Sequence, residues 1–435
     1  MRIAIIGAGA AGLTAAYHLS ALDHQVVVYE ASGQPGGLAS GFKDDRWDWS
    51  LERFYHHWFT SDDAIIDLID QLGLAKKLFF PRPVTSIWYR DRAYPFDSYL
   101  RALTFPHLSL IDKLRAGPVA VYLRLLRDWP RLERHTAHEW LTRWMGARGY
   151  QVLWEPLLVG KFGEYYREVN MAWFWARIHK RSPRLGYFEG GFQALLDALA
   201  ERVRSQGAEV RLNAPVEQIE SELLPGGPGQ MASRLTVHSE GAAASYDRAI
   251  VTLSPGLLAR LVPQLPPDYL AGLKTLRSMG AVVVILALTQ RLTEGHYWIN
   301  LPKGEGFPFL ALVEHTNFID RRHYGGDHLI YCGDYLKPDH EYFSLSHEEL
   351  LARFLPTLPR FNSQFRPEWV RRSWVFREQY AQPVPGINHS CNVPDLATPI
   401  KDLFWASMSQ VYPWDRGTNY AVEMGREVAR RALEA

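Results

Sequence analysis

An α/β fold is predicted, with a Rossmann-like dinucleotide-binding unit and a second domain, and three observations predict it. The chain opens on a strand, a glycine turn, a helix and a second strand ending in an acid. Strand and helix patterns then alternate to the C-terminus, with a Trp- and Arg-rich helical stretch between them. Finally, 435 residues exceed the size at which one hydrophobic core stops growing, so two domains are expected.

The first element is Ile3-Ala4-Ile5-Ile6, an apolar strand that runs into Gly7-Ala8-Gly9-Ala10-Ala11-Gly12. Gly7 permits a sharp turn, Gly9 lets the backbone approach a pyrophosphate, and Gly12 lets helix and strand pack closely. The helix that follows, to about Ser20, offers the N-H groups of its start, including Ala10 and Ala11, to phosphate oxygens. Gln25-Val26-Val27-Val28-Tyr29 is the second strand, and Glu30 at its end is placed to accept hydrogen bonds from a ribose. Met1-Arg2 before small apolar residues imitates a secretory signal, but cleavage would destroy this unit, so the segment is read as folded.

Beyond the second strand stands a second glycine motif, Gly36-Gly37-Leu38-Ala39-Ser40. Residues 91–190 read mostly as helices, and Gln193 to Gln206 carries Leu195, Leu196, Leu199 and Val203 on one helical face. Strands are expected over Ala208–Leu212, Val216–Ile219, Arg234–His238 and Ala249–Leu253, with a turn at Pro225-Gly226-Gly227-Pro228-Gly229. Leu403-Phe404-Trp405-Ala406-Ser407 reads as a strand, and Thr418 to Ala432 as the last helix.

Composition excludes several functions. A formal net charge of +1 lacks the basic stripe of a nucleic-acid protein, so no nucleic-acid partner is expected. Two cysteines, Cys332 and Cys391, give neither a disulfide framework nor a metal spacing; no metal site is expected, and a reducing, cytoplasmic setting is. No apolar run is long enough to span a membrane. Leu108 to Trp129 is the stretch best suited to lie on one, with Ile111, Leu114, Val121, Tyr122, Leu125 and Trp129 near helical spacing beside Lys113, Arg115, Arg124 and Arg127. Its Gly117-Pro118 interruption favours a buried core helix over peripheral membrane contact. The unusual number is the aromatic load, 15 Trp, 21 Tyr and 20 Phe, which suits flat apolar pockets as well as cores.

With both glycine motifs in view, the sequence resembles the flavoprotein superfamily of protoporphyrinogen oxidases, phytoene and other carotenoid desaturases and flavin amine oxidases. Glu155-Pro156-Leu157-Leu158 with Gly160, Tyr187–Phe192, and Gln382-Pro383-Val384-Pro385 resemble that family's segments in the family's order. The resemblance implies a two-dinucleotide-binding-domain flavoprotein with non-covalent FAD. It also implies a discontinuous FAD-binding domain, 1–90, 191–253 and 390–435, and a substrate-binding domain with a helical subdomain, 91–190 and 254–389. Cofactor contacts are then expected at Gly7, Gly9, Ala10, Ala11, Gly12, Glu30, Gly36, Gly37, Leu38, Val216, Ser407, Thr418 and Asn419. Two positions depart from the pattern: Gln34 stands where the family usually has arginine, and Ala406-Ser407 where it has Gly-Asp or Gly-Glu.

Such a flavoprotein would dehydrogenate or desaturate a largely apolar or planar small molecule by hydride transfer to the flavin, with oxygen, a quinone or another carrier as electron acceptor. Catalytic candidates are His56 and His57, of which a strand would point only one inward, and Trp414 and Arg416 before the last helix, with Tyr412. Arg177, Lys180, Arg181 and Arg184 beside Trp173 and Trp175 would suit a partly anionic ligand. Two alternatives stay open. His56-His57-Trp58-Phe59-Thr60 is similar to a segment of UDP-galactopyranose mutases, whose arginines, here Arg177, Arg181 and Arg377, would grip a diphosphate. The departures at Gln34 and Ser407 would also suit a flavin- or lipid-binding subunit without turnover.

Overall fold

The computed structural model describes residues 1–225 and 231–434. Strand β1 (Arg2–Ile6), helix α1 (Ala10–Ser20) and β2 (Gln25–Tyr29) open the chain, followed by α2 (Asp63–Gln71) and the hairpin of β3 (Val84–Tyr89) and β4 (Arg92–Pro95). Helices α3 (Leu110–Leu125), α4 (Glu155–Phe162), α5 (Met171–Lys180) and α6 (Phe192–Ser205) come next. The second half carries β5 (Glu209–Arg211), β6 (Arg248–Val251), β7 (Ser278–Leu288), β8 (His296–Asn300), β9 (Ala311–Glu314), β10 (His328–Leu336), β11 (Val370–Pro383), β12 (Leu403–Trp405) and α7 (Thr418–Glu434). The turn expected at Pro225–Gly229 falls largely outside the described residues.

Two sheets organise these elements. A five-stranded parallel sheet has the order β5-β2-β1-β6-β12, with Ile5 opposite both Val28 and Ile250. Its strands alternate between two cores: Ile3 and Ile5 face α1 and α6, whereas Ala4 and Ile6 face the layer around Leu235, Val237 and Leu258. A run buried on both faces is what a central parallel strand requires. The seven-stranded sheet has the order β11-β7-β10-β9-β8-β3-β4. In β7, Val283, Ile285 and Ala287 pack toward the cofactor side and Val282, Val284, Leu286 and Leu288 toward the outer layer. Helices α3, α4 and α5 share a third core around Leu158, Phe162, Trp173 and Phe174.

Strand β3 lies within the first segment assigned to the cofactor domain from sequence, 1–90, yet it pairs with β8 in the seven-stranded sheet. An isolated strand carries no signal of its partner, and this one is completed by a chain segment about 200 residues later in sequence. Pro118 does not end its helix either: α3 continues through it from a full capping box at Ser109 and Asp112. The expectation that α3 is a core helix is only half met, because its Leu123 side is buried while Ile111, Leu114, Val121, Tyr122 and Leu125 are exposed.

Helix α7 packs on α1 through Gly425, where a Cβ would stand 2.4 Å from the Ala11 carbonyl oxygen and 2.8 Å from the Thr14 Cβ. Backbone cannot yield as a side-chain end can, so Gly425→Ala is expected to destabilise the protein by about 1–3 kcal/mol. Gly272→Ala, with nothing within 4 Å, should be neutral or slightly stabilising. Thermal unfolding of the two variants side by side checks this, and equal melting temperatures would refute the close contact.

Candidate active site

The dinucleotide cradle is built from the two glycine motifs pressed together. Gly7 adopts a φ of +104°, its N-H donates to the Tyr29 carbonyl at 2.8 Å, and a Cβ at Gly12 would lie 1.9 Å from the Gly7 oxygen. Gly36, at φ +133°, donates its N-H to the Ala8 carbonyl at 2.9 Å. This brings Gly37 against Gly9, where a Cβ on Gly37 would lie 3.4 Å from the Gly9 Cα. Leu38 follows, half-buried, in a short 3-10 turn. The first bond at the start of α1 runs from Leu13 to Gly9, so the N-H groups of Ala10, Ala11 and Gly12 precede the helical ladder and form an anion-binding end.

Glu30 sits beside this turn. One carboxylate oxygen accepts the Ala8 N-H at 2.8 Å and the other accepts the Ser32 N-H and hydroxyl at 2.9 and 2.8 Å. A lone pair remains on the oxygen that accepts the Ala8 N-H, open to a ribose hydroxyl. The Glu30 carbonyl accepts the Ala214 N-H at 2.8 Å, which brings the segment leading to Val216 to the same edge. Sequence reasoning missed Thr252, whose hydroxyl donates to the Ile6 carbonyl at 3.0 Å and roofs Gly7. Its only sequence signal is its place just after a buried strand.

Three expected cofactor side chains are occupied within the protein. The Ser407 hydroxyl accepts the Ser409 N-H at 3.2 Å and shares a bond with Tyr380 at 2.9 Å, while its N-H donates to Gln410 at 2.7 Å. Thr418 accepts the Trp58 indole N-H at 2.6 Å, and Asn419 accepts the Ile65 N-H at 3.1 Å. What α7 offers instead is its backbone: the first bond at its start runs from Ala421 to Gly417, leaving the N-H groups of Thr418, Asn419 and Tyr420 ahead of the ladder. Thr418 and Ala10 line one small apolar cavity with Trp58 and Phe192, so the two helix starts are neighbours. Gln34, in the place of the arginine, donates to the Gly41 carbonyl at 2.7 Å and braces the second glycine loop.

Just before α7 lies a cluster of charged side chains, here the chamber, drawn from α4, α5, β11 and the loop that carries Asp415 and Arg416. Asp415 is its centre: it accepts Lys161 of α4 at 3.0 Å, Arg177 of α5 at 2.7 Å, and Gln382 of β11 at 3.3 Å. Burial works to raise the Asp415 pKa, but the Lys161 and Arg177 charges outweigh it and hold the carboxyl down at about 2. Lys161 shares that one carboxylate with Arg177, and burial pulls its own pKa to about 7. Arg416 donates to the Tyr335 hydroxyl, lies 5.2 Å over that ring, and keeps its Nε without a partner. Arg181 is exposed, yet desolvation still lowers its pKa to about 10, as expected of a guanidinium in the wall of a concavity. Lys161 and Arg177 thus share one fixed carboxylate, with Arg181 and Arg416 close enough for their charges to act on Arg177.

Of the basic cluster seen in sequence, Arg177 and Arg181 join this chamber. Lys180 lies 5.4 Å over the Trp414 ring, and Arg184 turns to the Phe80 carbonyl. Trp414 stacks on Tyr420 at 5.9 Å and meets Trp175 at 5.5 Å, which makes it a wall. Tyr412 is held by Glu133 at 3.0 Å and Asn170 at 2.9 Å. Lys161 and Asp415 were missed because neither belongs to a charge cluster or a motif, whereas Gln382 was seen only as part of a Pro-rich segment.

His56 and His57 lie in an irregular segment between short strands, so no alternation separates them, and both are half-buried. His56 bonds the Phe54 carbonyl through Nδ1 at 2.5 Å, and His57 is ringed by Phe59, Tyr297 and Trp298. Burial lowers them to about 4 and about 3, helped at His57 by Arg181. Near neutral pH they are uncharged hydrogen-bonding groups rather than proton donors, which corrects the acid-base role expected from their ordinary pKa.

The comparisons agree with this geometry. Residues 10–433 match the model of the flavin containing amine oxidoreductase family. A 15-cis-phytoene desaturase from Synechococcus elongatus is 36% identical over 242 residues, half of this chain and half of the desaturase's own length. An oxidoreductase from Methanosarcina mazei superposes over 99% of this chain and 100% of its own, at 18% identity and a TM-score of 0.75. A reduced UDP-galactopyranose mutase covers 100% of this chain and 95% of its own, at 18% identity and 0.74. The fold and the glycine cradle define a dinucleotide-binding flavoprotein. The chain belongs to the flavin containing amine oxidoreductase family. The cradle, with its glycine contacts and free helix N-H groups, fits an FAD pyrophosphate, and Glu30 fits the adenosine ribose.

Beneath the site, Glu52 is fully buried and accepts the Tyr187 hydroxyl at 3.0 Å and the Phe192 N-H at 2.8 Å. Burial raises its pKa from 4.5 to about 7. The folded state therefore binds more protons than the unfolded chain between those values, and stability should fall as pH rises through that window. Relative to Glu52→Gln, the native protein is expected to lose roughly 3 kcal/mol between the ends of the window. Urea unfolding at several pH values measures this, and parallel pH profiles for the two proteins would refute it.

Proposed function

We propose that this protein is an FAD-dependent oxidoreductase that dehydrogenates a largely apolar or planar small molecule bearing an acidic group, and that oxygen, a quinone or another carrier reoxidises the flavin. The observation that carries the reading is the charged cluster before α7, in which Lys161 and Arg177 share the single Asp415 carboxylate while Arg416, beside aromatic rings, keeps its Nε without a partner. Bound FAD supplies acceptance of a hydride from a substrate C-H bond. Gly7, Gly9, Ala10, Ala11, Gly12, Gly36, Gly37, Leu38, Glu30 and Val216 would hold its dinucleotide part. The backbone at Thr418 and Asn419 would meet its electron-rich edge, where helix N-H groups favour added negative charge. Ser407 would act at one remove, by fixing the loop after β12.

The chain's own residues do the rest. Lys161, Arg177, Arg181 and Arg416 bind and orient the acidic group, while Trp414, Trp173 and Trp298 cover the apolar part and exclude water. Neutral His56 and His57 position substrate through hydrogen bonds. Within this reading the protein works peripherally at a membrane, where apolar substrates and quinones partition.

Anaerobic mixing of the FAD-loaded protein with candidate polyprenoids, porphyrinogens and amines tests the reading. A substrate that bleaches the flavin stoichiometrically supports it, and air or a quinone should restore the colour. Activity only with pre-reduced flavin and no net electron transfer would select a sugar-nucleotide mutase instead. Against that branch, Arg377 donates to the carbonyls of Tyr342 and Leu345 at 3.0 and 2.5 Å, far from Arg177 in the fold. A flavin that no donor reduces would select a binding subunit without turnover. With an active acidic substrate, Arg181→Gln is expected to raise KM by about 10- to 100-fold, the scale of a charged hydrogen bond, with kcat changed far less. Steady-state kinetics on acid and ester forms of the substrate check this, and equal KM changes for both would refute it.

A further inference from the structure

Helix α3 is apolar on two sides, and only one of them is used. Its inner stripe, Ala116, Val119, Leu123 and Leu126, packs into the helical core. Its outer stripe, Leu110, Ile111, Leu114, Val121, Tyr122 and Leu125, has side chains between 50% and 73% exposed. These residues recur at helical spacing along 16 residues, about 24 Å of helix. Trp144, also exposed, extends the face through Trp140, which stacks on Tyr122 at 6.1 Å.

The charge around this stripe says what covers it. Residues 110–134 carry six cations, Lys113, Arg115, Arg124, Arg127, Arg131 and Arg134, and three acids. Asp112 and Glu133 are buried, so Asp128 is the one acid of the segment that faces solvent, paired with Arg131 at 2.6 Å. An apolar stripe edged by guanidinium groups, Tyr and Trp suits the boundary between acyl chains and anionic headgroups. A second copy would bring the same cations against themselves. Among the described residues no helix is long and apolar enough to cross a membrane.

We propose that the outer face of α3 is a docking surface for an anionic lipid bilayer, on which the protein lies without spanning it. The inference concerns the outer face of α3 and stands whichever reaction the chamber performs. Arg124 ties the two, donating to the carbonyls of Ile178 and Arg181 at 3.3 and 2.9 Å. The lipid face and the chamber wall therefore belong to one rigid helical layer.

Flotation of the FAD-loaded protein with phosphatidylcholine vesicles, with and without 30% phosphatidylserine (about a plasma-membrane level of anionic lipid), tests the proposal. Binding to the anionic vesicles is expected, weakening in high salt. Leu114→Gln combined with Leu125→Gln should lower the partition coefficient at least tenfold (~10-fold or more), as should Lys113→Gln combined with Arg127→Gln, with flavin content and spectrum unchanged in both. Undiminished partition of either double variant, or no flotation on the anionic vesicles, would overturn it. So would a wild-type dimer that the leucine variant converts to monomer without any change in lipid binding, since that assigns the face to a second copy.

Discussion

The contact on which the rest depends is between two pieces of backbone. The Gly7 carbonyl occupies the space that any side chain on residue 12 would need, and Gly37 occupies the space beside Gly9. Close approach of this kind lets α1 start directly against the sheet, points its unpaired N-H groups at one spot, and sets the second glycine loop over it. Thr252 and Gly425 then extend the same tight packing to β6 and α7, so the start of the last helix is placed relative to the first by backbone contact and not by long side chains.

That part of the molecule was legible because it is written in glycine and in period-two strands. Gly7, Gly9, Gly12 and Glu30 announce their geometry through spacing, and β1, β2 and β6 through apolar runs. The chamber was legible only in outline. Arg177 and Arg181 stand out as a charge cluster, but Asp415, Lys161 and Gln382 come from three distant segments, and no local pattern says that they meet. The histidines were misjudged in a different way: burial lowers both, and of the rings packed around His57, Tyr297 and Trp298 lie some 240 residues away in sequence. Likewise Pro118 looks like a helix break until the capping box at Ser109 and the packing of Leu123 are seen to outweigh the lost hydrogen bond.

The electrostatics of the chamber and of the cradle are complementary in kind. The cradle offers dipoles, fixed N-H groups at helix ends that need no counter-ion and suit phosphate oxygens. The chamber offers full charges, which are costly to bury unless paired, and Asp415 pairs only part of them. An anionic guest would complete the balance, whereas a cationic one would add to an existing excess.

The strand order of the parallel sheet has a consequence for how the protein comes into being. Strand β1 is flanked by β2 and by β6, and the sheet is closed by β12, whose residues 403–405 are synthesised long after β1 and β2. During translation the nucleotide cradle exists as a half-sheet with an open edge at the place of β6, and then of β12, while the inserted sheet and helices emerge. Pairings of such long sequence separation close slowly, and an exposed parallel edge invites wrong partners in the interval. The order of the chain thus makes completion of the cradle wait on long-range pairing, and puts the greatest hazard of misfolding in the time between the second strand and the last.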